Sequence, residues 1–180
     1  MTSNARPRIL GSLGTADGVG VARIEDRYDT DIDDLWSALT DPARLARWYG
    51  RVEGDLREGG EFRLTMESNG WDGGGQVEVC DPPRLLRVTT RESDVSYESG
   101  IGVPPFDETI EASLTADGDG TNLVIVVKGM PVDKVQFYGA GWQQHAEVLA
   151  DYLAGREVEN TEARFTELVP HYQELASRLR

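Results

Sequence analysis

Cysteine is almost missing: Cys80 stands alone in 180 residues. That excludes an intramolecular disulfide, a Cys-x-x-Cys pair and a thiolate zinc cluster. The only two histidines, His145 and His171, are too few to build a structural metal site in their place. Basic residues are also sparse, 18 against 32 acidic ones, for a net charge of −14 and no basic stripe anywhere. Nucleic acid and anionic membrane surfaces are therefore poor partners, whereas a neutral or cationic small molecule is compatible with the charge. No run approaches a membrane span, and Met1 to Leu10 lack the apolar core of a secretory signal, so a cytoplasmic protein is expected. No glycine-rich turn precedes a helix carrying a phosphate-binding lysine, so no nucleotide or other cofactor is expected.

What is present is one domain's worth of core, since a 39% hydrophobic share over 180 residues suffices. Ile9 to Thr15 and Val19 to Tyr28 read as a hairpin about Asp17-Gly18. Asp31 caps a helix whose apolar face is Ile32, Leu35, Trp36 and Leu39. Asp41-Pro42 starts a second short helix, with Leu45, Trp48 and Tyr49 at helical spacing before Gly50. From Arg51 to Lys128 the period falls to two: Phe62, Leu64, Met66; Val77, Val79; Leu86, Val88; Ile110, Ala112, Leu114. Half-buried antiparallel strands are predicted, joined by turns at Gly59-Gly60, Asn69-Gly70, Asp81-Pro82-Pro83 and Asp117-Gly118. The glycines around Trp71 are expected to make a turn, and 92–107 a long mobile loop at a cavity mouth. A long helix follows, with Val135, Tyr138, Trp142, His145, Leu149 and Tyr152 on one face and Gly155 at its end. A further stripe from Phe165 to Leu179 forms a tail that Pro170 is expected to kink or split. The division expected is a domain over 1–155 and an accessory helical tail over 156–180.

Strands, two short helices, a meander and a long helix make an α+β chain in which a curved antiparallel sheet wraps the helix and leaves an internal apolar cavity. Four stretches carry a more specific likeness: Leu35-Trp36-Ser37-Ala38-Leu39-Thr40-Asp41-Pro42 on to Trp48; Gly59-Gly60-Glu61-Phe62; Gly75-Gln76-Val77 with Asp81-Pro82-Pro83-Arg84-Leu85-Leu86; and Gly141-Trp142 with Leu149 and Leu153. Across roughly residues 9 to 155 the chain resembles the activator-of-heat-shock-ATPase C-terminal-domain-like branch of the SRPBCC superfamily, which has the START-like helix-grip fold. Gly141 would then let the long helix approach the sheet. The resemblance implies a ligand-binding cavity, with polyketide-cyclase-like catalysis and regulation of a chaperone ATPase as the alternatives. The second alternative lacks the separate chaperone-binding domain that such regulators carry, and fold by itself does not choose among the three.

The residues expected to line the cavity are Tyr138, Trp142 and His145 on the long helix, Phe62 and Met66 on a strand, and Trp71, Tyr97 and Phe106 at the mouth. Gln143 and Gln144 are further polar candidates. Tyr138 and Trp142 on such a face more often fill a core than line a site, Trp71, Tyr97 and Phe106 could equally be hydrophobic plugs, and Trp36 and Trp48 are read as packing unless they border the cavity from its helical side. His145 is the one weak catalytic candidate, as a general base, but the sequence shows no orienting partner for it. Cys80 has no adjacent base and is given no role. A small hydrophobic or amphipathic molecule is the partner expected. The tail stripe leaves a homodimer open, and a chaperone partner rests on the resemblance alone.

Overall fold

The computed structural model describes residues 8–100, 102–158 and 160–179. Eight antiparallel strands form one sheet: β1 (Gly11–Ala16), β2 (Val19–Tyr28), β3 (Arg51–Gly54), β4 (Glu61–Met66), β5 (Trp71–Asp81), β6 (Leu85–Glu92), β7 (Asp107–Asp117) and β8 (Gly120–Lys128). Their order is β1-β2-β8-β7-β6-β5-β4-β3. All neighbours are joined by sequence-adjacent connections except β2 and β8, where Ala22 pairs with Val127 and Ile24 with Ile125. Helices α1 (Ile32–Thr40) and α2 (Pro42–Trp48) fill the gap between β2 and β3, and α3 (Asp94–Ser99) lies between β6 and β7. The curved sheet grips α4 (Val135–Leu153), and α5 (Thr161–Ala176) packs along α4. This is a helix-grip fold.

Local chemistry sets the helix ends. Asp31 accepts a hydrogen bond from the Asp34 N–H (2.8 Å), and Asp41 accepts one from Ala43 (2.8 Å). Arg44 on α2 donates to Asp34 (2.9 Å) and to the Tyr152 hydroxyl (3.0 Å), tying both connector helices to α4. On the other side of α4 the Tyr28 hydroxyl donates to the Ala146 carbonyl (3.0 Å). The core lies between these ties, around Leu35, Leu123, Val127, Val135 and Leu149.

Five readings of the sequence need correction. The glycines after Trp71 belong to β5, where a Cβ on Gly73 would meet the Arg91 carbonyl and the Trp71 ring and one on Gly75 would meet the Phe62 ring. Val77 and Val79 do not share a face, because a bulge between them shifts the register and turns Cys80 inward instead. The stretch 92–107 includes a helix: Ser93 caps α3, and the Ser96 hydroxyl donates to the Gly70 carbonyl (2.8 Å) and accepts from the Asp72 N–H. Pro170 does not split the tail, since α5 runs on through it with Leu168 and Tyr172 fully buried on either side. Close approach in α4 falls to Gly139, where an added Cβ would lie 2.5 Å from the Tyr172 ring and 2.8 Å from Leu13; Gly141 has room.

Candidate functional site

The inner face of the sheet follows from register. Leu86, Val88, Thr90 and Glu92 alternate along β6, and opposite them on β7 stand Ala112 beside Leu86, Ile110 beside Val88 and Glu108 beside Thr90. Residues directly opposite in an antiparallel pair share a face. Two carboxyl groups, Glu92 and Glu108, therefore end an inner row that is apolar up to Thr90. α4 presents Tyr138, Gly141, Trp142 and His145 to this end, and the C-terminus of α2 presents Trp48 and the following Tyr49.

Between them is a cleft of about 530 Å³, with Met66 and Trp71 on the strand side and Phe165 of α5 on the outer side. A smaller, apolar space of about 150 Å³ lies beside it, bounded by Phe62, Leu64, Val77, Ile110 and Ala112. Trp48, Tyr49, Leu64 and Trp142 border both. These volumes lie in and below the range of small-molecule sites. The rings at the junction touch: Tyr49 and His145 meet edge-on at 5.1 Å, Trp142 and His145 at 5.4 Å, and Tyr49 lies 6.0 Å from Trp142.

The titratable groups here are poorly solvated. Water reaches one face of each through the cleft, so by surface they are half-buried, yet protein encloses the rest. Burial, with the nearby Glu92 charge adding to it, pushes the Glu108 carboxyl up to about 8. Burial likewise raises Glu92. Burial lowers His145 to about 4, so its imidazole is neutral at physiological pH. Tyr49 and Tyr138 are raised, first by burial and then by the Glu108 charge.

Of the residues expected from sequence, Tyr138, Trp142, His145, Met66 and Trp71 line the larger cleft and Phe62 the smaller space. Phe106 stands behind the wall, edge-on to Tyr138 at 5.6 Å. Tyr97 lines neither space, because α3 turns it elsewhere. Gln143 faces away from the cleft; it is fully buried, accepting from Leu10 N–H (2.9 Å) and the Tyr172 hydroxyl (2.7 Å) and donating to the Arg8 carbonyl (2.7 Å). Gln144 does line the cleft, donating to the Thr161 carbonyl. Cys80 borders the smaller apolar space, and burial raises its thiol. Sequence reasoning misses Tyr49, Glu92 and Glu108, although Glu92 and Glu108 keep the phase of the inward residues on their own strands. Among the described residues no group of three metal-binding side chains occurs, and no helix is long and apolar enough to cross a membrane.

Residues 29–154 match the family model of activator of Hsp90 ATPase homolog 1-like proteins. The chain belongs to that family. It is part of the SRPBCC superfamily. Family membership thus spans α1 to the end of α4, and includes every α4 residue of the cleft.

Among solved structures, the crystal structure of CalU16 from Micromonospora echinospora is similar at 29% identity and TM-score 0.73, over 93% of this chain and 97% of that one. Its solution structure gives 27% identity and TM-score 0.71 over 99% of both chains. DynU16, a protein in the dynemicin biosynthetic locus, shares the fold at 24% identity and TM-score 0.62, over 77% of this chain and 48% of that one. No curated protein matches.

Proposed function

We propose that this protein binds a small amphipathic molecule in the cleft between the sheet and α4, with its apolar part directed toward the neighbouring apolar space. The observation that carries this reading is that the polar-ended cleft and the apolar space lie side by side, sharing Trp48, Tyr49, Leu64 and Trp142 as lining. An aromatic wall with a few polar groups at one end is the usual make-up of a small-molecule site. The Micromonospora echinospora protein, similar over nearly the whole length, has the same fold.

Catalysis has less behind it. His145 makes ring contacts with Tyr49 and Trp142 but, among the described residues, no hydrogen bond to a group that would orient it. Chaperone regulation is supported by the family description alone.

Gly141 offers a clean test. It lines the cleft, and a Cβ there would meet only Phe165, at 3.9 Å. Leucine is also a better helix former than glycine, by about 0.5–1 kcal/mol. Gly141→Leu should therefore plug the cleft while keeping or raising the melting temperature. Nile red fluorescence should rise with the wild-type protein and be largely lost with the variant. Equal binding by both, at equal stability, would move the ligand out of this cleft. Native mass spectrometry of protein purified without denaturation would show whether a small molecule is released on mild activation.

A further inference from the structure

The inner row of β6 and β7 ends in two carboxyl groups. Among the described residues, neither Glu92 nor Glu108 takes part in an ion pair or a side-chain hydrogen bond, although sixteen ion pairs occur elsewhere. Like charges this close on one face repel, and a merely structural site would be better served by apolar residues there. The remaining charged side chains around the cleft are Arg47 and Glu162, both exposed at its rim, so carboxylates outnumber cations three to one. Facing the carboxyl groups are the rings of Tyr138 and Tyr49, each near enough to feel the Glu108 charge, with Trp142 beside Tyr49. Aromatic faces attract cations, most strongly where water is excluded. A chain of net charge −14 raises the local concentration of cations further.

The geometry points to a positively charged headgroup, an ammonium or a substituted amine, held between Glu92, Glu108 and the Tyr49–Tyr138–Trp142 rings, with the apolar part of the same ligand directed toward the neighbouring apolar space. This rests on the cleft being a ligand site. It adds the chemical class of the ligand. Bringing a cation to Glu108 favours the ionised carboxylate, so binding below about pH 8 releases a proton and tightens as the pH approaches that value. A neutral ligand that accepts a hydrogen bond from the protonated carboxyl would show the opposite trend.

Three probes of equal chain length separate these cases: decyltrimethylammonium, decanol and decanoate, each titrated below its aggregation threshold by calorimetry and tryptophan fluorescence. The wild-type protein should bind the ammonium about tenfold more tightly than decanol, and decanoate most weakly. Affinity for the ammonium should increase between pH 6 and pH 9 by at least about threefold, with proton release seen as a buffer-dependent heat. The double variant Glu92→Gln, Glu108→Gln should lose about tenfold for the ammonium, keep decanol within twofold, and show no pH dependence. Ammonium and decanol binding equally, decanoate binding most tightly, or the double variant holding the ammonium as well as wild type would each overturn the cationic headgroup while leaving the cleft as a binding site. If none of the three probes binds, the ligand-binding reading falls and this one with it.

Discussion

A carboxyl group at the end of a largely apolar row titrates late because it is buried, and a neighbouring charge adds to the delay. For Glu108 the folded value, about 8, lies above the ordinary 4.5. The folded protein therefore holds this proton where the unfolded chain has lost it. Stability from this group is complete below pH 4.5 and is lost as the pH rises toward 8. His145 runs the other way, with its folded value near 4 below the ordinary 6.5. Its contribution is complete above pH 6.5 and is lost as the pH falls toward 4. Urea unfolding across pH 4 to 9 should show Glu108→Gln gaining on wild type from pH 4.5 upward and levelling near pH 8. The gain expected is about 1–2 kcal/mol, once water in the cleft is allowed for. No difference at pH 8.5 would mean that Glu108 is better solvated than its position suggests. Glu108 is legible in principle, being two residues before Ile110 in an alternating strand. Apolar alternation, however, begins only at Ile110, and so stops short of the residue that breaks it.

At the scale of elements, α4 is held by small contacts that sequence periodicity does not rank. Gly139 permits the Tyr172 ring and Leu13 to sit against the helix backbone, and the Tyr172 hydroxyl bonds to the buried Gln143 amide at 2.7 Å. Arg164 of α5 donates twice to Glu147, both at 2.7 Å, on the same side. Gly139→Ala should destabilise by roughly 1–3 kcal/mol through overpacking, despite the better helix propensity of alanine. Tyr172→Phe should cost about 1 kcal/mol, because Gln143 keeps its bond from Leu10. Thermal melts of the two variants check both, and a stabilised Gly139→Ala would show that α5 can shift away freely. The amphipathic stripes of α4 and α5 are visible in the residues. Which glycine takes the close contact is not, because Gly139 and Gly141 differ only in the direction they face once α5 is in place. The same holds for Pro170, whose missing hydrogen bond is offset by burying Leu168 and Tyr172.

Over the whole molecule, charge of one sign dominates. At −14, self-repulsion weakens the folded state at low ionic strength, and most of the ion pairs that would oppose it are at least partly exposed. Raising sodium chloride from about 10 to 200 mM at pH 7.5, which shortens the screening length severalfold, should raise the melting temperature. A fall would show that the surface pairs outweigh the repulsion. By itself the sequence determined most of the strands, the cap at Asp31, the inward faces where apolar alternation is unbroken and the family resemblance, because each depends on neighbours a few residues apart. Tertiary structure alone decided that β2 closes on β8, that Cys80 rather than Val79 turns inward, and that Tyr49, His145, Glu92 and Glu108 share one cleft. Those outcomes depend on sheet curvature and on packing between residues far apart in the chain, where a shift of one register position changes which side chains meet.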